Sequence, residues 1–209
     1  MNEEQINNLT RADRDIIASI IPPGAHVLDL GCGDGGLLAE LIEKKEVVGR
    51  GIDIDENNII RCIEQGLSVC IGDIDKGLTD YPNKSYDFVV LNQTLQVIKK
   101  PDTVIREMLR VGKHAIVGFP NFGHWALRLK LLITGKMPKS KSLPFRWYNT
   151  PNIHQLTIRD FRDFSEMLGA EIIREEYFIF GKWRYSKLIE PFANMFGVTG
   201  MFVLREKKG

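Results

Sequence analysis

VLDLGCGDGG, residues 27–36, decides how this chain is read. Its apolar start predicts a buried strand, and glycines at 31, 33 and 36 follow the spacing of a dinucleotide-binding turn. Two carboxylates complicate that reading. Asp29 stands two residues before the first glycine, and Asp34 sits inside the loop. The loop is suited either to a pyrophosphate or to a ligand that carries positive charge.

Around this stretch, short apolar runs alternate with helix-like segments. AHVLDL predicts a strand, followed by a helix from about Gly35 to Lys44. VVGRGID predicts a second strand, IIRCIEQG the end of a helix, and SVCIGDI a third strand. YDFVVL, then PDTVIREMLRV with its Pro-Asp start, then KHAIVGF continue the alternation. Strands apolar on both faces, separated by helices, predict a parallel sheet covered on both sides, an α/β fold. TIRDFRDFSEMLG restores a helical period after a break, and AEIIREEYFIF and TGMFVLRE predict two last strands, with GKWRYSKLIEPFANMFGV as the loop between them. The 209 residues suit one domain, residues 1–209, with an insert at about 120–156 that is too small to fold alone. That insert is rich in Pro, Gly, aromatics and cations, holds one short amphipathic helix (HWALRLKLLIT), and is expected to cap the sheet edge.

Charge decides what the loop holds. Asp29 and Asp34 would repel a pyrophosphate, whereas an α-amino group with a sulfonium needs carboxylates nearby. S-adenosylmethionine is such a ligand. Asp53, in GIDID, lies about twenty residues past the glycines, where a carboxylate accepts hydrogen bonds from ribose hydroxyls. Asp73, in IGDID, can accept from an adenine amine, with Ile54 and Ile74 as apolar walls. Either aspartate alone could instead cap a helix or form a turn after its strand. Acidic positions at three successive strand ends, joined to the glycine loop, favour the ligand.

VLDLGCGDGGLLAEL, GIDID, GDID and YDFVVLNQTLQ resemble the successive motifs of class I S-adenosylmethionine-dependent methyltransferases. The resemblance implies a Rossmann-like sheet of seven mostly parallel strands, the last one, TGMFVLRE, antiparallel. It assigns Asp29, Gly31 and Gly33 to the methionine end of the ligand, Asp53 to the ribose, and Asp73 with Ile74 to the adenine. Asn92 would face the reacting methyl, and S-adenosylhomocysteine would be the product. LNQTLQ, FPNFGHWALRLKLLITGKMP and LPFRWYNTPNIHQLTIRDF further resemble the MetW family of methionine-biosynthesis proteins, over nearly the whole chain. That family is associated with the homoserine O-acyltransferase step, so the resemblance implies this enzyme as a partner.

Where many small-molecule methyltransferases carry a histidine after the fourth strand, this chain has Val97. Methyl transfer needs mainly alignment, so a missing base does not exclude it. The candidates for proton transfer or substrate orientation are His154, Tyr148 and His124. His154 could equally organise its loop, and His124 could cap the helix that follows it. His26 and His114 begin strands and are expected at the surface. No NPPY-like sequence follows the fourth strand and no Pro-Cys nucleophile is present, which argues against methylation of DNA bases.

A formal net charge of +1 conceals an asymmetry. Acids outnumber bases by about eight up to Glu107, and bases outnumber acids by about nine beyond it. No acid stands between Glu107 and Asp160, a segment carrying Arg110, Lys113, Arg128, Lys130, Lys136, Lys139, Lys141, Arg146 and Arg159. Such a surface attracts a carboxylate, a phosphate or an acidic protein, with Arg128, Lys130 and Arg146 the first to test. Nucleic acid is disfavoured despite the interleaved Trp125, Phe145, Trp147 and Tyr148, because the pI of 7.7 is ordinary and no RNA-binding module is visible. Cys32, Cys62 and Cys70 show no metal spacing and suit the reduced thiols of a cytoplasmic protein. The polar start is not a secretory signal, and no apolar run reaches the ~20 residues of a membrane span. Two functions fit: a methyltransferase for a small anionic acceptor, and an adenosylmethionine-binding partner of the acyltransferase with little turnover.

Overall fold

The computed structural model describes residues 3–140, 142–179, 181–184 and 190–207. Lys141 of the basic segment, Phe180 at the end of AEIIREEYFIF, and residues 185–189 of the following loop lie outside the described residues. The strands are β1 (His26–Leu30), β2 (Val48–Asp53), β3 (Val69–Ile71), β4 (Tyr86–Asn92), β5 (Gly112–Pro120), β6 (Ala170–Ile179), β7 (Lys182–Arg184) and β8 (Thr199–Glu206). The helices are α1 (Glu3–Ile20), α2 (Gly36–Lys45), α3 (Glu56–Glu64), α4 (Pro101–Val111), α5 (Trp125–Thr134), α6 (Ile158–Met167) and α7 (Ala193–Phe196).

All the strands join one sheet in the order β3-β2-β1-β4-β5-β8-β6-β7. The pairs β1/β2, β2/β3, β1/β4 and β4/β5 are parallel. β8 lies antiparallel between β5 and β6, the reversed last strand expected from the sequence. Seven strands match that expectation, and the three-residue β7 adds an eighth along β6. The chain winds outward from β1 to β3 and then returns to β4 on the other side of β1. That reversal opens a crevice at the carboxyl ends of β1 and β4.

Alternation along the strands fills two cores. Leu28, Leu30, Val89 and Leu91 pack with Val104, Ile105 and Met108 of α4 and Phe161 of α6. Val27 and Val90 face the other way, onto Ile17 of α1, Ile21 just past its end, and Leu37 and Leu41 of α2. α1 was not anticipated: the amino-terminal segment reads as merely polar, yet Ile17, Ala18 and Ile21 bury one stripe of it. His114 also departs from expectation. It is half-buried and stacked on Phe88 with ring centroids 5.1 Å apart, and its Nδ1 is buried without a partner.

α4 passes into β5 with no intervening loop, which needs a residue without a side chain. A Cβ at Gly112 would stand 2.8 Å from His114 O and Val89 Cγ2 and 3.1 Å from Met108 O. Two of these are backbone atoms and cannot step aside. Gly112→Ala is therefore expected to destabilise the fold by about 2–3 kcal/mol in urea unfolding. A loss below about 0.5 kcal/mol would show that the junction relaxes freely.

Candidate functional site at the carboxyl ends of β1 to β4

The loop after β1 is stitched to the end of β2. Gly31 N and Cys32 N both donate to Ile52 O (2.7 and 3.1 Å), and Gly33 N donates to Asp53 Oδ2 at 2.8 Å. Gly31, at φ 70°, runs so close to the next loop that a Cβ would meet Thr94 Oγ1 at 2.7 Å. Asp34 is exposed, and its Oδ1 accepts from Gly36 N at 3.1 Å, at the start of α2. Its charge serves the helix entrance, alongside the Arg14 guanidinium. A Cβ on Gly36 would lie 2.7 Å from Arg14 NH1 and 3.2 Å from Asp34 Oδ1.

Asp29 is different. It is 3% exposed, and none of the described residues donates a hydrogen bond to it. Burial, and then the charge of Asp53, push its carboxyl up to about 7. Asp53 is also buried, but its Oδ1 accepts from Asp55 N at 2.9 Å, with Asn58 Nδ2 at 3.4 Å. Helix capping at α3 falls to Asp55 instead, whose Oδ1 accepts from Asn57 N at 2.9 Å. Asp73 does cap the short 3-10 turn Ile74–Lys76, accepting from Asp75 N at 3.1 Å, while its other oxygen lies 3.8 Å from Lys76 Nζ. Ile74 packs on the core, and Ile54 is 69% exposed at the end of β2. Asp73 and Ile74 line one end of a cleft of about 810 Å³ that continues along β2 and β3 past Arg50, Cys70, Tyr81 and Tyr86.

Asn92 ends β4, and its Oδ1 is buried without a partner. The next residue, Gln93, adopts φ 55°, a left-handed conformation that costs a non-glycine residue energy and is common at ligand sites. Its Nε2 donates to Asp13 Oδ2 at 3.0 Å, which brings α1 into the site. Asp13 is 1% exposed; burial pushes its carboxyl up to about 7, partly offset by the Gln93 and Asn92 amides. Val97 is half-buried, and the buried polar side chain of that turn is Gln96. Gln96 Nε2 donates to Gln93 O at 2.7 Å, its O accepts from Ile153 N and His154 N, and its Oε1 has no partner.

The three catalytic candidates are not brought together. His154 is docked on the turn after β4, with Nε2 buried and unpartnered, and it lines an apolar cleft of about 330 Å³ with Leu95, Phe161 and Phe164. His124 caps α5, its Nδ1 accepting from Ala126 N at 3.3 Å, and burial lowers its pKa. Tyr148 is exposed, its hydroxyl taken by Arg146 NH1 at 3.0 Å and its ring edge-on to Trp147. Asp13, Arg14, Gln93 and Gln96 were not singled out in the sequence. The signal for the last two was present in LNQTLQ, as polar side chains directly after a buried strand; for α1 it was an isoleucine-rich turn stopped by Pro22-Pro23.

The strand order is that of the class I S-adenosylmethionine-dependent methyltransferase fold. A possible histamine N-methyltransferase from Thermotoga maritima superposes with a TM-score of 0.67 at 15% identity, covering 97% of this chain and 91% of that one. The complex of the Haloferax volcanii Trm112 methyltransferase activator with a putative methyltransferase contributes a match of TM-score 0.68 at 14% identity, covering 99% and 95%. At such identities these likenesses concern the fold. The sequence narrows it further: the chain belongs to the family described as methionine biosynthesis protein MetW, which it matches over residues 11–204. It is 38% identical over 175 residues to the bifunctional methionine biosynthesis protein MetXA/MetW of Rhodopirellula baltica, covering 79% of this chain and 28% of that protein. It thus spans little more than a quarter of that relative's length.

The raised Asp29 gives a test on the free protein. Its folded pKa, about 7, lies above the ordinary 3.8, so the folded state holds the proton more tightly than the unfolded one. Asp29's influence on stability is therefore most favourable below about pH 4 and is lost as pH rises to about 7. Asp29→Asn removes the buried charge. It should stabilise the protein by on the order of 2 kcal/mol at pH 8 and flatten the fall in stability between pH 4 and 7. Equal melting temperatures for both proteins across that range would show that Asp29 is not strained by its burial.

Proposed function

We propose that the chain binds S-adenosylmethionine at the carboxyl ends of β1 to β4 and acts in methionine biosynthesis as a partner of homoserine O-acyltransferase. One observation carries the binding: Asp29 is a buried carboxylate without a donor, beside a loop that approaches its neighbours closely, and it lacks a cation. The ligand's α-ammonium supplies one. Arg14, over the start of α2, takes its carboxylate, Asp53 its ribose hydroxyls, and Asp73 with Ile54 and Ile74 its adenine, while Asn92 faces the sulfonium end.

The partner role rests on the surface. Within the segment expected to cap the sheet edge, at about 120–156, α5 exposes Trp125, Leu129 and Leu132, the last 82% exposed. Trp147, 75% exposed, stands with Phe145 and Tyr148 on the segment that follows. Exposed aromatics with cations around them are natural anchors for an acidic protein surface. The joining of MetXA and MetW in one chain in Rhodopirellula baltica supports such a pairing. No helix among the described residues is long and apolar enough to cross a membrane.

A second reading, methyl transfer to a small acceptor, is favoured by the unpartnered Gln96 Oε1 and His154 Nε2 beside the end of β4. When bound, the sulfonium supplies an electrophilic methyl. Gln96 then orients the acceptor and His154 takes its proton. The apolar walls around His154 fit an uncharged acceptor better than the anionic one expected from the sequence.

Calorimetric titration with S-adenosylhomocysteine tests the binding. Affinity should fall about tenfold from pH 8 to pH 6 as Asp29 takes up its proton, and Asp53→Ala should abolish it. No saturable binding at pH 8 would overturn the reading. Trp125→Ala and Trp147→Ala should weaken the acyltransferase complex at least tenfold with ligand affinity unchanged; intact complexes in both variants would remove the interface.

A further inference from the structure

Of the three cations named from the sequence, Lys130 is exposed on α5 and Arg146 is engaged with Tyr148. Arg128 instead meets two arginines from further along the chain. A cleft of about 550 Å³ is lined by Arg128 of α5, Arg159 and Arg162 of α6, and the turn that carries Phe192, Asn194 and Met195. No carboxylate is among its lining residues.

The three guanidinium groups stand in different conditions. Arg162 is neutralised, its Nε and NH2 spanning Glu175 at 2.7–3.2 Å and NH2 also meeting Tyr177 OH at 2.7 Å. Arg128 is aimed but not neutralised. Its Nε donates to Gly123 O at 2.5 Å, which leaves both terminal amino groups free of described partners. Among the described residues, nothing forms an ion pair or side-chain hydrogen bond with Arg159. Two uncompensated cations on one cleft, beside a third that is locked in place, repel one another unless an anion lies between them.

The cleft is held by a buried hub. Asn121 is 1% exposed, and its Nδ2 donates to Asn194 O (3.1 Å) and Gly197 O (2.7 Å). Its Oδ1 accepts from Gly123 N at 2.8 Å and Ile158 N at 3.3 Å. Asn194 Oδ1 in turn accepts from Arg159 N at 3.3 Å. One side chain thereby fixes the entrances of α5 and α6 and the α7 turn, the three walls of the cleft. The first amides of α6 are all satisfied, the third by Thr157 Oγ1 at 3.2 Å, so the positive field comes from the guanidinium forks. Phe192, 56% exposed, and Met195 give the cleft an apolar rim.

We infer that this cleft is a second ligand site, for a small molecule in which a diphosphate is joined to a flat apolar body. Arg128 and Arg159 clamp the phosphate oxygens through paired N–H donors, and Phe192 with Met195 carries the ring. The volume suits a small ligand. None of its lining residues belongs to the site at β1 to β4, so the inference stands independently of adenosylmethionine binding.

The test is titration at constant ionic strength, in phosphate-free buffer, with inorganic pyrophosphate and with ADP. S-adenosylhomocysteine is present in the ADP arm to keep the adenosine out of the first site. Saturable binding of both is expected, ADP the tighter. Arg159→Ala should weaken both at least tenfold, and Arg128→Ala with Arg159→Ala should abolish them. Phe192→Ala should remove the advantage of ADP while leaving pyrophosphate affinity unchanged. Absence of saturable pyrophosphate binding by the wild type, or equal affinity in a folded Arg159→Ala protein, would overturn the site.

Discussion

The bond from Gly33 N to Asp53 Oδ2 sets the geometry of the molecule's polar end. A sheet apolar on both faces can place functional side chains only where its strands stop. This bond fixes two such stops, β1 and β2, against each other. It positions the Asp53 carboxylate and shapes the turn around Gly31 that lets the loop after β4 approach through Thr94. The alternation along β1 places the Asp29 carboxylate close to these tied ends, where the residue keeps only 3% of its surface exposed.

Two carboxyls pushed up to about 7 are held at the candidate site by different elements, Asp29 by β1 and Asp13 by α1. Folding desolvates both, and neither has an ion-pair partner among the described residues. Free energy is thus held where a cationic ligand can recover it, the usual tension between stability and binding. The positively charged half of the molecule shows the converse pattern. Three of its cations, Arg128, Arg159 and Arg162, line one cleft that has no acidic residue in its lining, so the asymmetry along the sequence is expressed as two sites of opposite charge.

Much of this was legible because it is local. Strand ends, glycine spacing and the acidic residues at the ends of β1, β2 and β3 are set by neighbours a few residues apart, and the sheet follows from the alternation of apolar runs. What escaped depends on distant contacts. Asp13 matters only because α1 folds back to Gln93, eighty residues away. Arg128 reads as one of several cations until Asn121 brings α5, α6 and α7 together. His124 illustrates the opposite case: its alternative role as a helix cap was visible beforehand and is the one the geometry displays.

The position of β8 bears on the order in which the molecule can be assembled. β8 comes after every other strand in the chain, yet it pairs with β5 on one side and β6 on the other. Until residues 199–206 have left the ribosome, β6 has only the three-residue β7 beside it and β5 presents an open edge. The β1-to-β5 half can condense early from contacts between adjacent segments, but the remainder must wait for this long-range closure. During synthesis, the apolar edge of β5, with Ile116 and Val117, is thus a surface that other nascent chains can reach.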